Sequence, residues 1–210
     1  MKAVVADPTG GIENLKYMDF PKPEPGEGEV LVKLEAIGVN FIDVYYRTGL
    51  YKAPENPVKL GSEGAGTIEA VGKGVTLPIG QRVAYAMARG SYAEYALAPQ
   101  SVLVELPQNI NCETGAAIML QGMTAHYLTR STFKLEPGHT CLVHAAAGGV
   151  GLLLVQMAKI AGATVIGTVG THEKARVASD HGADHVILYN TTDFLEEVKR
   201  ITGKKGVDVV

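Results

Sequence analysis

Thr140-Cys-Leu-Val-His-Ala-Ala-Ala-Gly-Gly-Val-Gly-Leu-Leu-Leu-Val-Gln-Met-Ala-Lys159 is the stretch on which the fold turns. Cys141 to Val143 is a short apolar run after the turn Glu136-Pro-Gly138, and it reads as a buried strand. From Val150 onward, Leu153, Leu154, Met157 and Ala158 recur at helical spacing, so a helix leaves the glycines. Between strand and helix lies Ala146-x-Gly148-x-x-Gly151, a dinucleotide fingerprint with alanine in the first place. Small residues are needed there for steric reasons. Gly148 lets the backbone approach a pyrophosphate, Gly151 lets the helix pack on the strand, and the bare helix end offers free N–H groups. With Gly149 and Val150, these residues form the candidate phosphate cradle.

A tight strand-to-helix turn would account for the glycines alone, so the neighbouring sequence has to decide. Ala163-Thr-Val-Ile-Gly-Thr168 is a second strand rich in β-branched residues. Thr171 caps a second helix with Glu173 in its first turn, and His185-Val-Ile-Leu188 is a third strand. Strand, glycine turn, helix and strand within about 30 residues is the unit that the fingerprint requires.

Cofactor choice is read at the tip of the second strand. A site for the unphosphorylated dinucleotide places a carboxylate there, about 20 residues past the fingerprint, on the ribose 2′-hydroxyl. Here the tip is Val169-Gly170-Thr171, and Lys174 follows one turn later. Gly170 leaves room for a 2′-phosphate and Lys174 is either its partner or a solvated helix lysine. The expectation is NADPH.

Working outward, residues 1–110 read as β-rich. Strands are expected at Ala3–Ala6, Val30–Ile37, Arg82–Ala86 and Tyr92–Leu97, with a turn at Asp7-Pro-Thr-Gly-Gly11. Pro21-Lys-Pro-Glu-Pro-Gly-Glu-Gly28 excludes regular structure, and Asn40–Arg47 reads as a short helix. The strand within Gly61–Gly72 carries so many glycines that it must bend or approach another backbone closely. Short glycine-laced strands suggest a partly closed barrel. A helix over Cys112–Thr129 joins this part to the strand–helix alternation beyond it, which implies a doubly wound parallel sheet. The expected division is a β domain over 1–122 and a dinucleotide-binding domain over 123–210.

The net charge of −3 exerts no pull toward nucleic acid or an anionic membrane, and no apolar run is long enough to span a bilayer. Met1-Lys2 leads straight into a strand, which argues against a signal peptide. Cys112 and Cys141 form no Cys-x-x-Cys pair and read as reduced structural thiols, so the expected compartment is the cytoplasm. The six histidines are scattered, and each reads as a surface or core residue rather than a metal ligand.

Several separated motifs carry a family. Ala36-Ile-Gly-Val-Asn-Phe-Ile-Asp-Val-Tyr45, Arg47-x-Gly-Leu-Tyr51, Gly61-Ser-Glu-Gly-Ala-Gly66, Gln121-Gly-Met-Thr-Ala125 and His144-Ala-Ala-Ala-Gly-Gly-Val-Gly151 together resemble the quinone oxidoreductases. These are zinc-free members of the medium-chain dehydrogenase/reductase superfamily, related to zeta-crystallin. The resemblance implies a GroES-like barrel domain followed by a Rossmann domain, NADPH-dependent reduction of quinones, and a homodimer. Family members are longer, so the chain is expected to hold the first part of the Rossmann sheet and to lack its C-terminal remainder.

In zinc-dependent relatives the catalytic metal is held at positions that align with Asn40, Ser62 and Leu120. None of these is a thiolate or imidazole, so no metal is expected. An acceptor carbonyl must then be polarised by hydrogen-bond donors. Asn40, Tyr45 and Tyr51 stand where the resemblance places the substrate pocket, although the two tyrosines could equally be packing residues. Asp43 either orients a neighbour or caps its helix. Thr124 matches a position beside the nicotinamide, or bonds back to a helix carbonyl. Tyr189 matches a position beside the adenosine phosphate. Two other readings stand beside quinone reduction: reduction of 2-alkenals or enones, and a non-catalytic nucleotide-binding or crystallin-like structural role.

Overall fold

A computed structural model describes all residues, 1–210, and divides into two compact units, Met1–Leu120 and Gln121–Val210. In the first unit the strands are β1 (Lys2–Ala6), β2 (Leu15–Asp19), β3 (Glu29–Ile37), β4 (Val58–Lys59), β5 (Glu63–Val71), β6 (Arg82–Ala86), β7 (Tyr95–Pro99) and β8 (Val104–Glu105). Helix α1 (Phe41–Thr48) follows β3, and α2 (Cys112–Tyr127) carries the division between the units. All strand pairing here is antiparallel. Three strands run in the order β2-β1-β4 and five in the order β7-β3-β5-β6-β8, with β7 and β8 left as edges. A single bridge between Ala3 and Ala93 touches β1.

The glycines of β5 do what their spacing demands. A Cβ on Gly66 would lie 2.0 Å from the carbonyl oxygen of Lys33, so only glycine lets β5 run this close to β3. The β3–β5 ladder also slips register twice, between Leu31 and Val32 and between Leu34 and Ala36, which bends the pair as bulges do. On one face Val30, Val32, Ile68, Val83, Tyr85, Ala96 and Ala98 form a buried cluster. Each large aliphatic in it contributes about 1.5–3 kcal/mol by leaving water. Ala65 and Ala84 meet Leu106, Cys112 and Ala116, which seats the start of α2 on the sheet.

The second unit is a parallel sheet with helices between its strands. Its strands are β9 (Thr140–Val143), β10 (Thr164–Val169) and β11 (His185–Leu188), in the order β11-β10-β9, and its helices are α3 (Gly149–Ile160), α4 (His172–Asp180) and α5 (Phe194–Ile201). Val209 adds a parallel bridge to Cys141 on the outer side of β9. Successive residues of a strand point to opposite faces. Cys141, Val143 and Val165 accordingly pack with Val155, Ala158 and Ala178 of α3 and α4, whereas Leu142, Ile166 and Ile187 pack with Val198 of α5. Helices thus cover both faces, the doubly wound arrangement that near-continuous apolar strands require.

Several elements depart from the sequence expectation. The strand expected at Tyr92 begins at Tyr95, and α2 ends at Tyr127 before a wider turn of helix over Leu128–Thr132. Beyond Gly206 the chain adds only the bridge at Val209 to the sheet. Strands β2, β4 and β8 and helix α5 were not anticipated. Helix α5 carries legible signals nonetheless: the Asp193 carboxylate accepts the N–H of Leu195, Glu196 and Glu197 fill the first turn, and Lys199 and Arg200 the last. No helix of the chain is long and apolar enough to cross a membrane.

Candidate functional site

In the second unit the chain leaves β9 through His144 and Ala145, the latter in the left-handed region at φ 51°. Gly148 caps α3 with extended backbone, its N–H donating to the Ala145 carbonyl at 2.8 Å while its own carbonyl accepts the N–H of Leu152. A Cβ on Gly151 would stand 2.2 Å from the Ala145 oxygen and 2.9 Å from the Ala146 Cα, so glycine alone allows the helix to start against the strand. A Cβ on Gly149 would press at 3.2 Å on the side chain of Gln121. Ala146 is fully buried, as the first fingerprint position must be when helix and strand meet there. The result is a bare helix N-terminus in which Gly149, Val150 and Gly151 present N–H groups without intrahelical acceptors. A pyrophosphate fits such a cradle.

His144 closes the end of β9 with two side-chain contacts. Its Nδ1 pairs with the Thr168 hydroxyl at 2.9 Å, and Phe194 stands edge-on to its ring at 5.2 Å.

At the tip of β10 the geometry gathers three sequence-predicted residues. The position of a Cβ on Gly170 lies 2.8 Å from the Tyr189 hydroxyl, so the phenol covers the space that a side chain would take. Asn190 donates its amide to the Gly170 carbonyl at 2.8 Å and pins the turn. Thr171 caps α4 by accepting the N–H of Lys174, which places Lys174 in the first turn with its side chain exposed. Glu173 is also exposed in that turn, but no carboxylate occupies the strand tip itself. The room that the sequence reading left over Gly170 is thus taken by the Tyr189 hydroxyl, itself a hydrogen-bonding group at the strand tip. Asn190 escaped the sequence reading, since an amide at a strand end is also common in plain turns. Thr124 is half-buried on α2.

In the first unit Asn40 is the N-cap of α1, and its backbone N–H donates to Oδ2 of Asp43 at 2.9 Å. Asp43 does both things its position allowed, because it also orients neighbours. Buried to 4 % exposure, it accepts the hydroxyls of Ser62 and Tyr92, each at 3.0 Å. Burial, and then the Asp43 charge, push the Tyr92 phenol well above its ordinary range, so it stays a donor.

Glu63, fully buried, was not singled out from the sequence. Oε2 accepts the Asn40 amide at 2.9 Å and Oε1 accepts the Leu120 N–H. Burial raises the pKa of its carboxyl, the two hydrogen bonds oppose that, and the Asp43 charge adds to it, leaving the value above the ordinary one. At the three positions aligned with zinc ligands the side chains are an amide, a hydroxyl and an isobutyl group. Here Asn40 and Leu120 both bond to Glu63, and Ser62 to Asp43. No group of three or more His, Cys, Asp or Glu side chains stands where it could hold a metal ion.

Tyr45 and Tyr51 are part-exposed, their ring centroids 5.3 Å apart, and the Tyr51 N–H donates to the Tyr45 carbonyl. The two phenols form one aromatic patch, Tyr45 on α1 and Tyr51 just after it. Such a patch can donate hydrogen bonds to an electron-poor carbonyl.

Comparison with known proteins agrees with this geometry. Residues 26–108 match the alcohol dehydrogenase GroES-like domain, and residues 149–210 the zinc-binding dehydrogenase domain. A quinone oxidoreductase of Pseudomonas aeruginosa is 50% identical over 96% of this chain and 62% of its own length. The crystal structure of Escherichia coli quinone oxidoreductase complexed with NADPH superposes with a TM-score of 0.97 at 43% identity, over 100% of this chain and 65% of that one. A crystal structure described as an NAD-dependent alcohol dehydrogenase superposes with a TM-score of 0.90 at 36% identity, over 100% of this chain and 70% of that one. This chain thus spans just under two thirds of the length of the two quinone oxidoreductases. The bare helix end, the glycine beneath Tyr189 and the Glu63-centred network sit on a backbone shared with these proteins, and the chain belongs to the medium-chain dehydrogenase/reductase superfamily, with quinone oxidoreductases among its relatives.

Proposed function

We propose that the chain serves NADPH-dependent reduction of a quinone, and the observation that carries this reading is the phenol of Tyr189 over Gly170. The tip of β10 lacks the carboxylate that would bond a free 2′-hydroxyl, and Lys174, beside the exposed Glu173 in the first turn of α4, supplies a cation for a 2′-phosphate. The N–H groups at the start of α3 receive the pyrophosphate. The NADPH-bound relative from Escherichia coli supports the choice of cofactor.

When bound, NADPH supplies the hydride. The chain's own groups bind and polarise. Tyr45 and Tyr51 donate their hydroxyl protons toward the acceptor carbonyl, lowering the cost of negative charge on its oxygen. Asn40 acts beside them, its amide aimed by Glu63 and its backbone by Asp43. Thr124 is the residue proposed beside the nicotinamide. The first unit, extended to residue 122, is read as the acceptor-binding domain, and residues 123–210 as the cofactor-binding domain.

The proposed partners are a small-molecule quinone and a second copy of the chain, in the cytoplasm, with no nucleic acid. The test is the loss of NADPH absorbance with a simple quinone, run beside NADH and beside a 2-alkenal. Quinone-dependent oxidation favouring NADPH is expected. A response only to the alkenal moves the assignment to enone reduction, and nucleotide binding without turnover moves it to a non-catalytic role.

A further inference from the structure

Arg89 and Glu55 form a two-pronged ion pair in the first unit, with Nη1 2.6 Å from Oε1 and Nη2 3.0 Å from Oε2. Both side chains are about three-quarters buried. Burial alone would push the Glu55 carboxyl up, and the hydrogen bond and charge of Arg89, together with backbone hydrogen bonds from Glu55 and Lys59, bring it below its ordinary value. The same guanidinium lies over the ring of Tyr46, its Cζ 4.9 Å from the ring centroid. Tyr46 meets Tyr51 edge-on, centroids 5.7 Å apart at 80°, and Tyr51 leans at 58° on Tyr45.

The contacts thus run in one line from Glu55 through Arg89, Tyr46 and Tyr51 to Tyr45. The ion pair holds one end of this line, and α1 carries the backbone of Tyr45 and Tyr46 at the other. Tyr51 lies in an irregular segment between α1 and β4, held locally by its N–H to the Tyr45 carbonyl. The exposed ring of Tyr45 thus leans on Tyr51 and that of Tyr51 on Tyr46, while Tyr46 packs against the buried Ala6, Val58 and Leu60 as well as against the guanidinium plane. A planar fork held at two points by a carboxylate has little freedom to rotate, which a lysine ammonium could not match.

We propose that Arg89 is a positioning residue: clamped by Glu55, its guanidinium braces Tyr46 and through it orients the Tyr51 and Tyr45 hydroxyls toward an acceptor carbonyl that Arg89 does not touch. The acceptor half of this proposal rests on the quinone-reductase reading, whereas the brace itself does not. Two measurements keep the two apart.

The first follows the ring carbon–proton resonances of Tyr45, Tyr46 and Tyr51 by NMR in the 210-residue chain, assigned through single Tyr→Phe variants. Arg89→Ala should move all three sets, and Arg89→Lys, which retains a cation over the ring, should move them less. If only Tyr46 responds, or the lysine variant is as disturbed as the alanine variant, the brace is overturned. A variant that loses all dispersion also counts against it, since the proposal needs a folded chain with loosened rings.

The second is steady-state turnover with NADPH and a simple quinone. Arg89→Ala should lower kcat with quinone by about fivefold and leave the KM for NADPH in place, with partial recovery in Arg89→Lys. An unchanged kcat, or a rise in the KM for NADPH of the same size, overturns the acceptor half. If the unmutated chain itself fails to turn over quinone, that half falls with the activity reading, and the ring resonances still decide the brace.

Discussion

The amide of Asn40 donates to Oε2 of Glu63 across 2.9 Å, and the other oxygen of that carboxylate takes the N–H of Leu120. A fully buried carboxylate is tolerable because both of its oxygens are satisfied. Gly38 makes room for it: a Cβ there would lie 1.9 Å from Oε2. The pair gives the Asn40 amide, at the start of α1, a fixed direction.

That network predicts a pH signature. The Glu63 pKa is raised above its unfolded value of 4.5, chiefly by burial and further by the Asp43 charge, against the bonds from Asn40 and Leu120. An acid with a raised native pKa binds protons more tightly when folded, so stability falls as pH rises from about 4.5 through the native pKa. Glu63→Gln has one acceptor oxygen for two donors and should cost about 1–3 kcal/mol at pH 5. Its deficit should shrink toward pH 7, because only the unmutated chain carries the ionisation penalty. Thermal melts of both across pH 5–7 check this, with Tyr92 and Asp43 as the other titratable groups in the network. A deficit that stays constant or widens shows that Glu63 is not the titrating group.

Tyr51→Phe removes a part-exposed hydroxyl and leaves the ring against Tyr45 and Tyr46. Losing one hydrogen bond to the developing oxyanion, worth about 1.5 kcal/mol, should lower kcat with quinone by roughly tenfold. Affinity for NADPH should stay put. Stopped-flow hydride transfer and cofactor titration separate the two, and an unchanged kcat returns Tyr51 to a packing role.

Gly151→Ala places a Cβ 2.2 Å from the Ala145 oxygen and 2.9 Å from the Ala146 Cα, both backbone atoms that no rotamer change can move. The start of α3 must lift from β9, at a cost of about 1–3 kcal/mol. The melting temperature should fall by several degrees for a chain of this size, and dinucleotide affinity should drop with it. Calorimetry with and without NADPH checks both. Unaltered melting would mean that helix and strand are less closely apposed than this geometry requires.

The fingerprint was legible because its constraint is local: Ala145, Ala146, Gly148 and Gly151 collide or fit within one turn of chain. Strand β10 was legible because Thr164–Val169 is β-branched and buried throughout most of its length. Strand β2 was not, since every residue of Leu15–Asp19 is exposed and only the ladder to β1 makes it a strand. Strands β4 and β8, at two residues each, fall below any sequence period. Glu63 escaped for a related reason. Its partners lie 23 and 57 residues away, and a glutamate amid glycines carries no mark of burial. The tyrosine line was hidden in the same way, because Arg89 reaches Tyr46 only through the fold.

Cofactor selection offers the sharpest test, because Gly170 and Lys174 act through different physics. Lys174 stands in the first turn of α4 with a free choice of partner, and a charge-assisted contact to a 2′-phosphate is worth about 1.5–3 kcal/mol. Lys174→Ala should therefore raise the KM for NADPH by tenfold or so and leave that for NADH unchanged. Gly170→Asp acts in the same direction by two routes. Its Cβ would displace the Tyr189 hydroxyl 2.8 Å away, and its carboxylate would repel the phosphate while accepting a free ribose hydroxyl. Preference should shift toward NADH in this variant, and the double variant should add little, since both changes remove the same phosphate contact. Competitive titration of the two dinucleotides against all three variants reads these shifts directly. Equal losses for NADPH and NADH in Lys174→Ala would show that the tip of β10 does not read the phosphate.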